Sequence, residues 1–421
     1  MPRAVGVGGY RAVLGLPFAL RTFVPAIGGR LAYGVLPLAI LFTVQQATSS
    51  YAVAGLAAAG FGIAAVTLPV KTRLAERHGQ HAVLPPLALV CAVALAVASV
   101  VRDPAVLVVV ITLAGFAAPP LGPSMRASWR RLTAGTSLKP RAYGLDAVVE
   151  ETLYLVGPLV AGLLVAAGPA HRALLLSAFL LLAGTLGMAT APPARHREPA
   201  APGRLFDPGP LRSPGVRGLL AAILGVGAGT SVAYTCIAAT AQNHGRPGAA
   251  GLLEAALAVG SVIGGLLWAR REPGRHPLRQ LAALAGVLAA GLTAASAAPG
   301  LITLGLVLCA TGTALAPVYV VAYLAADDLA GEGSAAEAGT WVNVATNAGS
   351  SAGAALAGII AESHGPGPGF LTGATLLAVT ATAVTLATQP KRDRRAVADG
   401  NHHSSHTHHP APPKPARHCG R

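Results

Sequence analysis

The sequence predicts an all-α integral membrane protein with twelve transmembrane helices, arranged as two pseudo-symmetric six-helix bundles. Of its 421 residues, 53% are hydrophobic and only 11% are charged, whereas soluble domains carry about 25% charged residues. Long apolar segments alternate with short basic clusters, and the second half of the chain repeats patterns of the first. Composition, segment spacing and repeat therefore agree on one fold class.

Twelve segments are long and apolar enough to cross a bilayer, which takes about 20 mostly apolar residues. Six precede and six follow a stretch rich in Pro, Arg and Gly. The predicted spans are residues 25–45, 51–70, 83–101, 105–123, 145–167, 173–190, 219–240, 249–268, 281–298, 302–324, 338–361 and 370–387.

Five regions follow from these spans. The last of them is rich in His and Pro and has too little apolar surface to fold alone, so we predict a disordered tail. Its clustered histidines offer weak metal binding as an alternative, but no metal or cofactor site is predicted. The regions are a cytoplasmic N-terminus (1–22), a first bundle (23–190), a cytoplasmic linker (191–216), a second bundle (217–388) and a cytoplasmic tail (389–421).

The placement of Lys and Arg gives the orientation, because cytoplasmic connections carry an excess of both. With the N-terminus inside, nearly all of the 31 basic residues fall on the cytoplasmic side, Lys71 among them. The outward connections hold only Arg102, Arg172 and Arg246, and Arg30 is the one basic residue inside a predicted span. This pattern predicts a multi-pass protein of the inner (cytoplasmic) membrane with both termini in the cytoplasm. The net charge of +15 lies in these short clusters, not on the continuous basic face of a nucleic-acid-binding protein.

An internal repeat relates the two halves at an offset of about 196 residues. The pattern Gly-x-Ala-x-x-Pro begins at Gly115 in the fourth span and at Gly312 in the tenth. Small-residue runs that begin at Gly157 in the fifth span and Gly353 in the eleventh also correspond. Parallel repeats of this kind, related by an axis along the membrane normal, are typical of transporters that rock around a central site.

The connection after the second span reads Thr72-Arg73-Leu74-Ala75-Glu76-Arg77-His78-Gly79-Gln80-His81. It resembles motif A of the major facilitator superfamily, G-x-L-a-D-[RK]-x-G-[RK]-[RK], with Glu76 in place of the usual Asp. The resemblance implies the superfamily's fold of two six-helix bundles. Because the motif's acid engages neighbouring helix ends in the family, it also implies a gating role for Arg73, Glu76, Arg77 and Gly79. The alternative is ordinary turn chemistry combined with positive-inside charge.

In the fifth span, Gly157-Pro158 followed by Gly162 is similar to the end of motif C of drug and proton antiporters. Small residues let helices approach closely, and Pro158 removes a backbone donor and can bend the span. The resemblance implies an antiporter, and the alternative is close helix packing alone.

Ionisable side chains inside membrane spans are rare and usually functional. Asp146 and Glu150 are spaced i and i+4 on one face of the fifth helix, with Glu151 beside them. We predict that Arg30 pairs with Asp146 or Glu150 and that one carboxylate carries a coupling proton. The alternative is a set of static ion pairs near the interface. Glu254, in the outer part of the eighth span, is either a second proton site or a water-facing residue at the outer mouth.

Polar side chains in other spans are candidates to contact a substrate in the cavity. Each has the alternative of a packing or interface role. The candidates are Tyr33, Tyr234, Tyr319, Tyr323, Asn343 and Asn347.

The sequence favours a secondary transporter that exports small amphipathic molecules in exchange for protons. The substrate is not expected to be strongly anionic, because Arg30 is the only basic residue in a predicted span. Import or uniport of a small metabolite such as a sugar stays open, and a membrane sensor or scaffold is a third possibility. With no nucleotide-binding Gly loop and no HExxH, the chain is not predicted to be an enzyme. The expected partners are a small-molecule substrate, protons and the lipid bilayer, and a monomer is expected.

Overall fold

The computed structural model describes residues 8–195, 209–268, 276–330 and 335–388. Part of the predicted linker and all of the predicted tail, 389–421, lie outside these residues. Within them the fold is helical, and twelve helices are long and apolar enough to cross a membrane. The prediction of twelve spans in an all-α membrane protein is therefore confirmed.

The spans are labelled α1 to α12 in chain order. They are α1 (Ala19–Thr48), α2 (Tyr51–His78), α3 (Gln80–Ala98), α4 (Pro104–Leu132), α5 (Arg141–Ala167), α6 (His171–Ala189), α7 (Pro214–Asn243), α8 (Ala249–Trp268), α9 (Pro277–Ser296), α10 (Leu301–Ala326), α11 (Trp341–His364) and α12 (Pro366–Ala387).

The outer surface of the bundle is apolar, as a lipid-facing surface must be. Large side chains stand exposed along the helices, for example Leu163 at 70%, Phe179 at 67% and Ile302 at 83%. The interior is packed with small residues, above all Ala and Gly, which let membrane helices approach closely.

The N-terminal boundary differs from the prediction of a separate segment 1–22. A short helix, Gly8–Leu14, precedes α1, which itself begins at Ala19. Val13 and Ala19 are fully buried in a cluster that includes Phe23 and Trp129. The first bundle therefore begins before residue 23, because these apolar side chains pack into it.

Two spans extend furthest beyond the predicted ends on the side that carries the basic clusters. α2 runs eight residues further than residue 70, to His78, and α4 continues from residue 123 to Leu132. Both extensions are polar segments that a hydropathy window excludes. Lys71, predicted to lie in a connection, is therefore inside α2, where its side chain is buried at 8% exposure.

Prolines interrupt α4 and α10 at equivalent positions. Helix Pro104–Ala117 stops before Pro119 and Pro120, and the next helix begins at Leu121. Because proline has no N–H, the carbonyls of Gly115 and Phe116 lose their usual helical donors. In α10 the helix ends at Gly312 and resumes at Leu315, just before Pro317.

The repeat seen in the sequence recurs in the packing. Gly115 of α4 packs against the backbone of Phe61 in α2, and Gly312 of α10 packs against the backbone of Leu257 in α8. Phe61 and Leu257 are themselves related by the offset of the repeat. The pairs α2–α4 and α8–α10 are therefore equivalent contacts in the two halves.

The two halves meet near one face of the membrane, which we call the closed face. There Gly55 of α2 lies against Ala354 and Gly358 of α11, and Gly162 of α5 lies against Gly251 of α8. The opposite face carries Arg77, Arg130 and Arg217 at the helix ends, and we call it the basic face.

Candidate functional site

A cavity of about 850 Å³ lies between α1, α2, α4 and α5 of the first half and α11 of the second. It extends to the basic face, where Arg126 and Arg130 of α4 line it. A volume of this size suits a small organic molecule. The large apolar side chains of its wall include Phe61, Leu68, Leu153 and Trp341.

The structure brings several residues that were predicted from the sequence to this one cavity. They belong to three groups predicted from the sequence: the ionisable residues of α1 and α5, the segment that resembles motif A, and the polar residues of the spans. The predicted residues that line the cavity are Arg30, Tyr33, Arg73, Glu76, Glu150, Asn343 and Asn347.

Arg30 joins both carboxylates of α5. Its Nη1 donates to Asp146 Oδ1 at 2.7 Å, and its Nη2 lies 3.0 Å from Glu150 Oε2, an ion pair without hydrogen-bond geometry. Arg30 and Asp146 are buried, at 5% and 2% exposure. The predicted pairing with one acid is thus observed with both, and its role in proton coupling stays a prediction. The side chain of Glu151 lies outside the described part of the chain.

Arg126 completes this network from α4. Its Nη2 donates to Glu150 Oε2 at 2.9 Å, and its Nε lies 3.9 Å from Asp146 Oδ2. Two arginines and two carboxylates therefore alternate around one cluster, which ties α1, α4 and α5 together. Each charge in this cluster has a neighbour of opposite sign. Such pairing offsets the cost of removing a charge from water.

Sequence reasoning missed Arg126 and Lys71 as cavity residues. Both were assigned to connections because the apolar windows end at residues 70 and 123, before them. The expectation that Arg30 is the only basic residue in a span is therefore wrong, since α2 and α4 carry others into the cavity wall.

Lys71 fills the gap that the two prolines leave in α4. Its Nζ donates to Ala118 O at 2.8 Å and approaches Phe116 O at 3.3 Å and Gly115 O at 3.5 Å. Tyr33 of α1 donates its hydroxyl proton to Pro119 O at 2.6 Å. Side chains from α1 and α2 thus supply donors to the carbonyls of the interrupted helix. Irregular backbone at membrane depth is tolerated when it is satisfied in this way and faces a cavity.

The residues of the motif A resemblance lie at the end of α2 on the basic face. Glu76 Oε1 accepts a hydrogen bond from Arg130 Nη2 of α4 at 3.2 Å. Gly79 has a φ of 89°, which favours glycine, and it separates α2 from α3. Arg77 is exposed and makes no hydrogen bond or ion pair within the described residues. Glu76 therefore contacts a neighbouring helix end, and its gating role stays a prediction.

Asn343 and Asn347 project from α11 into the cavity wall. Their amide nitrogens donate to backbone carbonyls one turn earlier, at 3.2 and 2.8 Å. Tyr323 of α10 donates to Asn343 Oδ1 at 2.9 Å and is not itself part of the lining. Tyr234 and Tyr319 also lie outside the lining. Tyr319 lies instead beside Thr230 of α7 and Thr346 of α11.

Glu254 lies in α8, one turn from Gly251. It is 6% exposed, whereas Leu252, nearly opposite on the helix, is 66% exposed. Glu254 therefore faces the bundle interior in this state, and its role as a second proton site or as a residue of the outer mouth stays a prediction. It forms no hydrogen bond or ion pair with the residues that the structure describes.

The glycines of the motif C resemblance are packing positions on α5. Gly157 lies against Gly34 of α1, and Gly162 lies against Gly251 of α8. The carbonyl of Pro158 also faces Gly251. Gly162 and Pro158 thus lie at the junction of the two halves, where the helices pack closely. The antiporter that the resemblance implies stays a prediction.

Glu362 joins the two halves at the closed face, on the other side of the molecule from the cavity opening. The sequence did not predict this contact. Glu362 Oε2, at the end of α11, accepts hydrogen bonds from Ser50 Oγ at 2.5 Å and Ala52 N at 2.8 Å. It therefore caps the start of α2 from the other half of the molecule. Tyr51 adds a second bond across the halves, to Gln242 of α7 at 3.3 Å.

Twelve spans in two repeated halves, closed at one face and open to a central cavity at the other, are the architecture of a membrane transporter. Residues 21–354 match the profile of the Major Facilitator Superfamily. The chain belongs to this family, as the resemblance in motif A implied.

Solved structures of transporters show the same fold. The nucleoside transporter NupG matches with a TM-score of 0.71 and 17% identity, over 88% of this chain and 99% of NupG. A mutant structure of NupG matches with a TM-score of 0.70 and 18% identity, over 88% of this chain and 100% of that one. The human organic anion transporter MFSD10 (TETRAN) matches with a TM-score of 0.59 and 18% identity, over 89% of this chain and 99% of that one. No curated protein sequence matches this chain significantly.

Proposed function

We propose that this transporter exports small amphipathic molecules in exchange for protons. The cavity is open to the basic face, which is the geometry of a state that can take up a substrate from that side. That face is the cytoplasm by the positive-inside rule. The apolar wall around Phe61 and Trp341 and the charged rim around Arg126 suit a molecule with one apolar and one polar end.

Alternating access then requires the closed face to separate while the basic face closes. The contact of Gly162 with Gly251 and the cap of Glu362 on α2 hold the closed face together in this state. Glu76 and Arg130 lie at the opposite end, where closure would bring the halves together. A gating role for the Arg73, Glu76, Arg77 and Gly79 segment follows from that location.

The observation on which proton coupling rests is that Glu254 is buried and has no partner among the described residues. A buried carboxylate without a partner is tolerated as the neutral acid, not as the anion. Glu254 is one turn from Gly251, whose contact with α5 breaks when the closed face opens. Opening would expose Glu254 to the outside, where it can exchange a proton, and closing buries it again. Asp146 and Glu150 differ, because Arg30 and Arg126 compensate both in this state.

Uptake or uniport of a polar metabolite is the second candidate. The amides of Asn343 and Asn347 and the hydroxyl of Tyr33 line the cavity, and such groups recognise hydrogen-bonding solutes. The structural neighbours include a nucleoside transporter, NupG, and an organic anion transporter, MFSD10. A cavity open to the cytoplasm accepts a solute for export and releases one after import equally well.

Proteoliposomes with an internal pH-sensitive dye distinguish these candidates. We expect addition of an accepted amphipathic substrate to release protons from a preformed gradient with the wild-type protein. Glu254→Gln should abolish the proton signal and retain exchange of labelled for unlabelled substrate. Asp328→Asn, which removes an exposed acid at the basic face, is the matched control and should behave as wild type.

Two results would contradict the proposal. Proton release by Glu254→Gln at the wild-type rate would remove Glu254 as the coupling residue. Substrate exchange without proton movement in the wild-type protein would remove antiport and favour uniport.

A further inference from the structure

We infer that Lys71 and the interrupted helix α4 form an anion-binding pole in the cavity, so that the transported molecule carries a carboxylate, sulfonate or phosphate group. The inference rests on the proposed function, since it names the polar end of the amphipathic substrate. It replaces the sequence-based expectation that the substrate is not strongly anionic.

Lys71 is a charge placed deep in the cavity wall. It lies on α2 after the turn Ala64–Thr67, its side chain is 8% exposed, and it lines the cavity. A charged side chain within a span costs about 2.5–3.5 kcal/mol on insertion scales. Such residues mark substrate or ion pathways in membrane proteins.

The partners of Lys71 distinguish it from the arginines that pair with acids in the cavity. Lys71 contacts neutral backbone carbonyls, and no described acid forms an ion pair with it. Its positive charge is therefore not cancelled by a described carboxylate. Among the described residues, the ion pairs at the cavity include those of Arg30 and Arg126 with Asp146 and Glu150, and that of Arg130 with Glu76.

The ammonium of Lys71 has donor capacity to offer an anion. An ammonium has three N–H donors, and the 2.8 Å bond to Ala118 O is the one of ordinary length. The contacts to Phe116 O and Gly115 O, at 3.3 and 3.5 Å, are long. An anionic oxygen can replace the 3.5 Å contact, because Gly115 O also accepts a hydrogen bond from Ala118 N at 3.1 Å. The bond to Ala118 O keeps the ammonium in place. The new contact would join two opposite charges, which attract each other directly, whereas the carbonyls that Lys71 contacts are neutral dipoles.

The repeat shows that Lys71 is an addition to the first half and not part of the common scaffold. The equivalent position in α8 is Leu267, which is 54% exposed on the outer surface. The break in α10 has one proline, Pro317, where α4 has Pro119 and Pro120. Both halves therefore contain an interrupted helix, and at this position the first half has a lysine where the second half has a leucine.

The surroundings of Lys71 fit an organic anion better than a small inorganic one. Leu68, one turn before it, and Phe61 line the same cavity, and Trp341 lines it from α11. These side chains provide an apolar wall for a ring or an alkyl chain. A substrate would thus direct its acid group to Lys71 and its apolar part to this wall.

Binding to the purified full-length protein in detergent tests the inference without a gradient. The probes are isosteric triads that differ in charge, such as 1-naphthoate, 1-naphthamide and 1-naphthylmethylammonium, with phenyl and biphenyl triads beside them. The readout is the shift of the thermal unfolding midpoint as each probe is titrated. We expect the carboxylate of at least one triad to bind about tenfold or more tightly than its amide.

Three variants assign that preference to Lys71. Lys71→Gln keeps a donor for the α4 carbonyls but removes the charge, and should bind carboxylate and amide equally. Lys71→Arg should keep the preference for the carboxylate. Lys139→Gln, which removes an exposed lysine at the basic face, is the control and should keep it as well.

An equal or stronger response to the amide or ammonium member in every triad overturns the inference, as does an unchanged preference in Lys71→Gln. If Lys71→Gln does not fold, the ranking of the probes on the wild-type protein decides. Because these measurements need no proton gradient, their outcome is separate from that of the Glu254→Gln experiment. Anion preference without proton movement would leave Lys71 assigned and remove antiport.

Discussion

Arg30 Nη1 donates to Asp146 Oδ1 at 2.7 Å, which joins the first and fifth membrane helices inside the cavity wall. Both side chains are almost fully buried. Burial of an ion pair is tolerated when further contacts compensate both partners. Here Arg126 and Glu150 supply them, so the pair is part of a network that holds α1, α4 and α5 in one arrangement.

Removing one member of this network should destabilise the protein strongly. We expect Arg30→Ala to lower the free energy of unfolding by about 3–5 kcal/mol, because Asp146 then stays buried without its main partner. The thermal unfolding midpoint in detergent measures the effect. Glu76→Ala removes the more exposed pair with Arg130 and should cost at most about 1 kcal/mol.

Replacing both partners with apolar residues should restore much of that loss. In the double variant Arg30→Met with Asp146→Leu, no unpaired charge is left, because Arg126 still neutralises Glu150. Apolar replacement of buried ion pairs is often neutral or stabilising. If the double variant is as unstable as Arg30→Ala alone, the stability at this site comes from something other than charge compensation.

The sequence was sufficient for the span count and for the pairing of Arg30, because apolar length and the i, i+4 spacing of Asp146 and Glu150 are local signals. It was not sufficient for Lys71. A hydropathy window reads a charge as the end of a span, and the carbonyls that accommodate Lys71 lie more than forty residues away, in α4. The cap of Glu362 on α2 could not be predicted either, because it joins residues about 310 positions apart in the two halves.

Gly79 should resist replacement by alanine. Its φ of 89° lies in a region that L-residues rarely adopt, and strain there amounts to about 1–3 kcal/mol. We expect Gly79→Ala to lower the thermal unfolding midpoint. Gly218→Ala is the matched control, because Gly218 is helical and nothing lies within 4 Å of an added Cβ. That control should leave stability unchanged or raise it slightly.

Neutralising Glu362 should loosen the closed face. Glu362→Gln keeps an oxygen acceptor for Ala52 N but removes the charge that favours the start of α2. This interaction is worth about 0.3–1 kcal/mol. The population open to the outside should rise by roughly twofold to fivefold. Its measure is the rate at which an impermeant maleimide labels Ala361→Cys, a buried position beside Glu362, in a background without the native cysteines.

Asp103→Asn is the control for Glu362→Gln. Asp103 caps α4 through Val106 N at 2.9 Å, but this contact stays within the first half. Asp103→Asn removes the same charge from the start of a helix, and Asp103 does not contact the other half of the molecule in this bond. Equal labelling rates in the two variants would show that the cap of Glu362 does not govern opening.

A larger side chain at Gly55 should raise the population that is open to the outside more than Glu362→Gln does. A side chain at Gly55 meets the carbonyl of Ala354, so Gly55→Val forces α2 away from α11. Overpacking of this kind costs about 1–3 kcal/mol, which corresponds to roughly fivefold or more in the population of the open state. Labelling of Ala361→Cys from outside should rise, and labelling of Asn347→Cys from the cytoplasmic side should fall. Gly28→Val, at a position with no atom within 4 Å of the added Cβ, should change neither rate. A rise in both rates with Gly55→Val would indicate loss of folding instead of a shift between states, because unfolding exposes both cysteines.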